Sequence, residues 1–201
     1  MRVLVATKNS GKLRELRAIF AGSGWELEPY SKYLEPEEGE TSYAGNAALK
    51  AQALRAQLQA VGRAEAVLGD DSGIEVAALG GRPGVLSARY GGAPASWTER
   101  RAALLREVRE SGSGERGVRF VCVLCFIEVA GREFLARGEV EGTLPLAERG
   151  VGGFSFDPIF EYAPAGKTFA ELSEEEKNAV SHRARAARAL LDAVRARTSS
   201  S

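Results

Sequence analysis

The chain begins with an apolar strand, a polar loop and a helix, in that order. This strand–loop–helix segment limits the folds that the chain can adopt. The strand is predicted at 2–6, before the polar loop 7–12. After the loop, apolar residues recur at helical spacing, namely Leu13, Leu16, Ile19 and Phe20. Helices and strands then mix along 201 residues with no internal repeat. The sequence therefore predicts an α/β protein built around a mixed sheet.

The remaining predicted elements follow from composition, periodicity and turn signals. In chain order they are a strand at 25–29, an alanine-rich helix at 43–60, a strand–sharp turn–strand segment at 66–76 whose turn lies at 70–73, a surface loop at 80–94 and a helix at 98–110. A hairpin of strands 118–129 and 133–141 follows, then a short helix with a capping box of Ser173 and Glu176, and a final amphipathic helix at 181–197. We predict one domain over 1–197, compact or in two closely packed lobes, and a disordered tail at 198–201.

Charge and hydropathy exclude several classes of protein. Lysine plus arginine equals aspartate plus glutamate at 27 each, so no charge excess favours nucleic acid or a membrane surface as partner. No apolar run of about 18 residues is present, and charges interrupt the start of the chain where a signal peptide would need an apolar stretch. We expect a soluble, cytoplasmic protein.

The metal-binding side chains limit the possible metal chemistry. His182 is the single histidine of the chain, which excludes multi-histidine sites and zinc cages. Cys122 and Cys125 lie in a predicted strand, where residues three apart point to opposite faces, so we expect two reduced, semi-buried thiols. A metal would need oxygen ligands, which Mg²⁺ and Mn²⁺ prefer.

The loop 7–12 is the first candidate site. It lies at the start of a predicted helix, where unpaired N–H groups and two lysines, Lys8 and Lys12, suit a phosphate chain. The segment does not match the Walker motif, which requires glycine and a hydroxyl residue at positions held here by Ala6 and Leu13. A solvated loop with an asparagine turn is an equally good interpretation of the same residues.

Two acidic segments form the second candidate site. Asp70 and Asp71 are adjacent carboxylates, which persist most naturally where a divalent cation or a water to be deprotonated takes up their charge. The same residues with Ser72 and Gly73 are also good turn formers. The loop 35–40 contains Glu37, Glu38 and Glu40 and contributes to such a site only if the fold brings one of them to Asp71.

Two further segments stand out near the carboxyl end. The glycine-rich loop 152–158 contains two phenylalanines, which either pack inward or offer a stacking face to a base. The segment 177–183 contains Lys177, His182 and Arg183, which are also compatible with an ordinary basic helix face.

Taken together, six segments resemble the Ham1-like inosine/xanthosine triphosphate pyrophosphatase family in family order. They are ATKNSGKLREL, ETSYAGNAALKA, GDDSGIEV, LGGRPGVLSARY, GGFSFDPIF and KNAVSHRARA. The resemblance implies a two-lobed α/β fold with a central substrate cleft, dimeric in solution. It also implies a Mg²⁺-dependent enzyme that hydrolyses ITP, dITP and XTP to the monophosphate and pyrophosphate, which prevents their incorporation into DNA and RNA.

The resemblance also implies roles for individual residues. Asp71 is the general base, Asp71 and Glu38 bind Mg²⁺, Lys50 joins the loop 7–12 in holding the triphosphate, and Ser72 contacts the substrate. The implied triphosphate-binding residues of that loop are Thr7, Lys8, Asn9, Ser10, Gly11 and Lys12. The residues implied to hold base and sugar are Phe154, Ser155, Phe156 and Asp157, and those that close on the purine and phosphates are Lys177, His182 and Arg183. Donors from His182, Arg183 or the backbone would select the 6-keto oxygen of the base, leaving ATP with unpaired groups.

The sequence departs from the family pattern in three places. The family usually has TF before the ENA of its long helix, where this chain reads SYAGNA. It usually has GGFGYDP in the aromatic loop, where this chain has Ser155 and Phe156. The acidic loop aligns loosely, which leaves Glu37 and Glu38 as alternative metal ligands. Two other functions stay open, namely a pyrophosphatase acting on dTTP and UTP and a nucleotide- or RNA-binding module without catalysis.

Overall fold

The computed structural model describes residues 1–39, 42–92 and 95–198. The strands are β1 (Arg2–Ala6), β2 (Glu26–Pro29), β3 (Ala66–Val76), β4 (Gly117–Ile127), β5 (Glu133–Thr143), β6 (Glu161–Tyr162) and β7 (Lys167–Thr168). The α-helices are α1 (Ser10–Phe20), α2 (Tyr43–Gln59), α3 (Trp97–Glu110), α4 (Glu174–Val180) and α5 (His182–Thr198). Short 3₁₀ turns occupy Ala77–Leu79, Gly84–Leu86, Asp157–Ile159 and Ala163–Ala165. Among the described residues, no helix is both long and apolar enough to cross a membrane.

The seven strands form one sheet in the order β2-β1-β3-β4-β5-β6-β7. β1 is parallel to both of its neighbours, with Val3 opposite Leu27 on one side and Val5 opposite Leu68 on the other. β5 and β6 are antiparallel, as are β6 and β7. The predicted α/β class with a mixed sheet is therefore confirmed.

The chain divides into two compact units, each with its own apolar core. Unit 1 comprises Met1–Asp71, Cys122–Glu139 and Ser181–Ser201, and its core contains Leu16, Phe20, Leu68, Phe126 and Leu190. Unit 2 comprises Ser72–Val121 and Val140–Val180, and its core contains Ile74, Leu104, Phe120, Phe160 and Phe169. The strands β3, β4 and β5 contribute residues to both units.

Most helices begin where the sequence predicts them, because polar side chains cap their free N–H groups. The predicted capping box before α4 is confirmed, since Ser173 Oγ accepts from the Glu176 N–H at 3.1 Å and the Glu176 carboxylate accepts from the Ser173 N–H at 2.7 Å. Ser42 caps α2 in a similar manner by accepting from the Gly45 N–H at 3.0 Å.

The prediction of a sharp turn at 70–73 is wrong, because β3 runs without interruption from Ala66 to Val76. Its first half pairs with β1 as far as Ala6 opposite Gly69, and β4 lies on its other side. Pairing of β3 with its neighbouring strands overrides the turn preference of aspartate, serine and glycine. The carboxylates tolerate this position because each has cationic partners, described below.

The two predicted carboxyl-terminal helices, a short one after the capping box and a final one at 181–197, are confirmed, although Lys177 lies in the short helix and not at the start of the final one. Lys177 belongs to α4, and α5 begins at His182. Ser181 separates them, since its side chain accepts from the Ala184 N–H at 3.2 Å and its carbonyl accepts from the Arg185 N–H at 3.0 Å. Serine in this capping position starts a new helix.

The two thiols and the chain end differ in detail from the prediction. Cys122 and Cys125 are unpaired cysteines, as predicted, but both are fully buried rather than semi-buried. Thr198 ends α5 instead of starting a disordered tail, and 199–201 lie outside the described residues.

Candidate active site

A buried carboxylate–ammonium pair between β3 and α2 forms the centre of the candidate site in unit 1. Lys50 Nζ lies 3.0 Å from Asp71 Oδ1, and Asn46 Nδ2 donates to Asp71 Oδ2 at 3.1 Å. The Glu38 carboxylate binds the same lysine ammonium. Asp71, Lys50 and Asn46 are all at most 5% exposed. The fold therefore brings Glu38, Lys50 and Asp71 together, as the resemblance implied.

Gly69 explains how the helix comes so close to the strand. A Cβ atom at this glycine would lie 2.2 Å from the Ala47 carbonyl oxygen, so α2 packs directly on the backbone of β3. Asn46 and Lys50 are four residues apart and thus share one face of α2. That face meets β3 two residues beyond Gly69, at Asp71.

The environment shifts the pKa values of this pair in defined directions. Burial raises the pKa of Asp71, although the charge of Lys50 and the hydrogen bond from Asn46 oppose the rise. Burial alone would lower the pKa of Lys50, but the carboxylates of Asp71 and Glu38 outweigh it and the pKa is raised. The lysine is therefore a permanent ammonium beside a carboxylate that accepts a proton more readily than usual.

Asp70 points to the opposite face of β3, into a different set of partners. Lys12 Nζ lies 2.5 Å from Asp70 Oδ1, and Arg183 Nε donates to Asp70 Oδ2 at 2.9 Å. Arg183 also pairs with Glu15, and the Cys122 thiol donates to Asp70 at 3.3 Å. Burial alone would raise the pKa of Asp70, but the charges of Arg183 and Lys12 hold it well below its usual range. The repulsion between these adjacent carboxylates is reduced, because they point to opposite faces of the strand and contact different cations.

The loop 7–12 contains the asparagine turn that the sequence allowed. Asn9 caps α1 by accepting from the Lys12 N–H at 3.0 Å, and Thr7 Oγ1 accepts from the Asn9 N–H at 3.0 Å. Lys8 and Ser10 are exposed, whereas Thr7, Asn9, Gly11 and Lys12 are half-buried. The turn presents the amino end of α1, which keeps the phosphate interpretation compatible with the cap.

The described part of the acidic loop distinguishes between two glutamates. Glu38 reaches Lys50, whereas Glu37 is exposed, and Glu40 lies outside the described residues. Across 1–39, 42–92 and 95–198, no group of three or more histidine, cysteine, aspartate or glutamate side chains is arranged to hold a metal ion. Glu38 and Asp71 are thus the carboxylates that offer oxygen ligands at this point.

The aromatic loop belongs to unit 2 and is organised by Asp157. The carboxylate of Asp157 accepts from the Phe154 N–H at 2.7 Å and binds Lys177 Nζ at 2.5 Å. The same ammonium lies 4.9 Å from the centre of the Phe154 ring. Lys177 and Asp157 are both buried, so the loop is tied to α4.

The two loop phenylalanines have different environments. Phe154 is half-buried, whereas Phe156 is 1% exposed and meets Trp97 edge-on with ring centroids 5.5 Å apart. The sequence left inward packing or stacking on a base as alternatives for these rings, and inward packing holds for Phe156. Its implied contact with the base stays a prediction. Ser155 and Ser72 are half-buried in the same unit.

His182 and Arg183 begin α5 in unit 1, and both are buried. The His182 carbonyl oxygen would lie 2.2 Å from a Cβ at Gly138, so α5 packs closely on β5 there. The Arg183 guanidinium binds the carboxylates of Asp70 and Glu15. These ion pairs account for the burial of Arg183, and its implied role in reading the base stays a prediction.

Sequence reasoning missed Asn46 and Glu15, which bind Asp71 and Arg183 respectively. The signal for Asn46 was its position one helical turn before Lys50. Glu15 had no comparable signal, because its partner lies 168 residues away in the chain.

Comparisons with known proteins agree over almost the whole chain. The family model described as the Ham1 family matches residues 3–193. A dITP/XTP pyrophosphatase from Symbiobacterium thermophilum is 44% identical over 92% of this chain and 90% of its own length. A dITP/XTP pyrophosphatase from Thermus thermophilus is 46% identical over 96% of this chain and 91% of its own length.

Solved structures are similar over the same span. A HAM1 protein from Coxiella burnetii has a TM-score of 0.83 at 32% identity, covering 96% of this chain and 98% of that protein. The Staphylococcus aureus Ham1 protein has a TM-score of 0.81 at 31% identity, covering 98% of this chain and all of that protein. With the match extending over both sequence and fold, this chain belongs to the Ham1 family.

Proposed function

We propose that this protein hydrolyses non-standard purine nucleoside triphosphates, namely dITP, ITP and XTP, to the monophosphate and pyrophosphate. The observation that carries the proposal is the buried Asp71 carboxylate, held between Lys50 and Asn46 with a raised pKa. Relatives that are 44% and 46% identical over nearly the whole chain are dITP/XTP pyrophosphatases, which supports the substrate class. Removal of these nucleotides would prevent their incorporation into DNA and RNA.

Asp71 would act as the general base. Its ionised carboxylate takes a proton from a water molecule as the water oxygen bonds to the α-phosphorus of the nucleotide. The bond from that phosphorus to the oxygen bridging to the β-phosphate breaks, and pyrophosphate leaves with the bonding electrons. Lys50 and Asn46 hold the carboxylate through one oxygen each, which fixes its orientation for the transfer.

Cationic and backbone groups of unit 1 would bind the triphosphate. Lys50 would neutralise charge that accumulates on the phosphate oxygens. Because this lysine is buried, its electrostatic interactions are strong. The amino end of α1, with Lys8 and Ser10 exposed beside it, offers N–H groups to an anion. Asp70 holds Lys12 at this end of the helix.

Mg²⁺, with Mn²⁺ as a substitute, fits the donor set. Glu38 and Asp71 would supply hard oxygen ligands. Their carboxylates lie close together, because both contact Lys50 Nζ. One or two carboxylates plus substrate phosphates are the usual Mg²⁺ ligands, and the two carboxylates beside Lys50 match that pattern. When bound, the ion would supply charge neutralisation on the phosphates.

The aromatic loop would contact the base and sugar. Phe154 has a half-buried ring that offers a stacking face, and Asp157 and Lys177 fix its position. Ser72, Ser155 and His182 remain proposed substrate contacts. A donor to the 6-keto oxygen would reject adenine, because the wrong base leaves buried groups unpaired.

We propose further that the protein is a homodimer that works in the cytoplasm, on the strength of its family membership. Light scattering after gel filtration tests the first point. A single species at the mass of one chain, 21.4 kDa, would contradict the dimer.

Release of pyrophosphate from a panel of nucleotides tests the function. The panel contains dITP, ITP, XTP, ATP, GTP, dTTP and UTP, each with Mg²⁺ and with excess chelator. We expect Mg²⁺-dependent release from dITP, ITP and XTP, with kcat/KM at least about a hundredfold above that for ATP, the scale set by an unpaired buried group.

Other products or preferences would contradict the proposal in distinguishable ways. Preference for dTTP and UTP would place the protein in a different class of nucleotide pyrophosphatase. Nucleotide binding without turnover would indicate a binding module. Release of orthophosphate rather than pyrophosphate would contradict attack at the α-phosphorus.

A further inference from the structure

We propose that Arg101 of α3 is a positioning residue for the aromatic loop, locking a strained backbone at Ser155 so that Phe154 stays in its nucleotide-binding position. The strain and its support are properties of unit 2 alone. The effect on nucleotide affinity rests on the proposed function.

The strain lies at Ser155. Its φ angle is +59°, and it is the single non-glycine residue with positive φ among the described residues. A Cβ atom disfavours this left-handed conformation, which persists only where surrounding contacts hold it. A serine at this position therefore needs support that a glycine would not.

Arg101 supplies that support from three directions. Its Nη1 donates to the Ser155 carbonyl at 2.8 Å, directly at the strained residue. Its Nη2 donates to Thr98 Oγ1 at 3.1 Å, and its Nε lies 2.9 Å from Glu148 Oε2. The side chain is 12% exposed, so the bond to Ser155 is shielded from water. A planar guanidinium anchored by a helix and a carboxylate presents its remaining donor in a fixed direction.

Asp157 fixes the loop on the other side of Phe154. It accepts from the Phe154 N–H at 2.7 Å, and a Cβ at Gly153 would lie 2.2 Å from its carboxylate oxygen. The backbone of Phe154 is thus held by Asp157 at its own N–H and by Arg101 through the next residue. Loss of either contact would let Ser155 relax to a negative φ and turn the Phe154 ring away.

The consequence for catalysis is specific. If the loop is in its binding conformation only part of the time, the apparent affinity falls by that fraction while the groups that perform the chemistry are unchanged. Loss of a hydrogen bond from a charged donor changes such an equilibrium by about tenfold. Arg101→Ala should therefore raise KM for dITP about tenfold and leave kcat within about twofold.

Rescue at Ser155 tests the mechanism. Ser155→Gly removes the cost of positive φ, so adding it to Arg101→Ala should bring KM to within about threefold of the value for Ser155→Gly alone. Ser155→Ala is the matched control, because it also removes the hydroxyl but keeps the Cβ, and it should give no rescue. Arg109→Ala, at an exposed arginine of the same helix, should leave KM unchanged. Arg101→Lys, which keeps the charge without the planar fork, provides a second variant and should also raise KM.

A readout independent of turnover separates this proposal from the proposed function. Trp97 packs against Phe156 of the same loop, so acrylamide quenching of Trp97 in a Trp25→Phe background reports loop mobility. Arg101→Ala should increase quenching, and added Ser155→Gly should reverse the increase. Unchanged quenching and unchanged KM in Arg101→Ala, or rescue by alanine as good as that by glycine, would overturn the proposal. A wild-type protein that hydrolyses no nucleotide contradicts the proposed function, while the quenching series still tests Arg101.

Discussion

The two faces of β3 use the same residue type for different purposes. On one face, Asp70 is fully buried with Lys12 and Arg183, and its pKa lies well below the usual range. On the other face, Asp71 has Lys50 and Asn46, and its pKa is raised. Asp71 contacts one cation whereas Asp70 contacts two, so burial remains the dominant influence on the Asp71 pKa.

This difference indicates which carboxylate is suited to proton transfer. A carboxylate with a strongly depressed pKa holds its charge and stabilises the fold, whereas one with a raised pKa accepts a proton at less cost. The opposite pKa shifts support a structural role for Asp70 and the proposed role of Asp71 as general base, and each of the following variants tests one of these two roles.

Asp71→Asn has the largest expected effect. We expect kcat to fall by about 10²- to 10⁴-fold, since the amide cannot take a proton from water. Stability should not decrease, because burial already disfavours the ionised form and Lys50 keeps Glu38 as a partner. Pyrophosphate release at saturating Mg²⁺ and urea unfolding measure the two quantities. A variant that keeps more than about a tenth of the wild-type kcat would remove Asp71 from the role of base.

Asp70→Asn should show the opposite pattern, with a loss of about 3 kcal/mol in the free energy of unfolding at pH 7, because Arg183 and Lys12 lose a buried counter-charge. The folded-state pKa of Asp70 is depressed, so its contribution is fully present above the unfolded value of about 3.9 and is lost as pH falls toward the folded value. The difference between wild type and variant should therefore shrink below about pH 4. Asp192→Asn, at an exposed aspartate of α5, is the control. Equal unfolding curves for Asp70→Asn and wild type at pH 7 would contradict the structural role.

Lys50→Ala should lower kcat by about tenfold or more, because a buried positive charge next to the reacting phosphates is lost. The acid limb of the pH–rate profile should move to higher pH, since Lys50 opposes the effect of burial on the Asp71 pKa. The rate should also become less sensitive to salt. Lys32→Ala removes an exposed lysine and should change none of these measurements. Unchanged kinetics in Lys50→Ala would return Lys50 to a structural role.

Asn46→Ala has the smallest expected effect. It removes one neutral hydrogen bond to Asp71, so kcat should fall about fivefold, equivalent to about 1 kcal/mol. The acid limb should shift in the same direction as for Lys50→Ala but by less, since a neutral donor stabilises the carboxylate less than a charge does. A pH profile that moves to lower pH would contradict the assigned contact.

Local patterns predicted most of the elements. The helices α1, α2 and α3, the long strands β4 and β5, and the cap before α4 lie within a few residues of their predicted positions. Each depends on neighbours within one or two turns, such as the Ser173–Glu176 pair. The motifs of the Ham1 family also predicted that Glu38, Lys50 and Asp71 come together, because the same segments recur with the same fold.

The failures concern residues whose environment comes from distant parts of the chain. The turn predicted at 70–73 is part of β3, a central strand that pairs with β1 as far as Gly69 and has β4 on its other side. The contacts of Arg183 with Asp70 and Glu15 were also not predicted, because these residues lie 113 and 168 positions away in sequence.

The sequence by itself determined the α/β class, the family and the group of residues around Asp71. Local periodicity and motif spacing depend only on the order of residues along the chain, so both can be recognised without the fold. Tertiary structure alone decided that Asp70 and Asp71 face different partners, that Phe156 packs on Trp97, and that Arg101 supports Ser155. Whether a polar side chain stabilises the fold or performs chemistry depends on its burial and on the charges beside it, and long-range packing sets both.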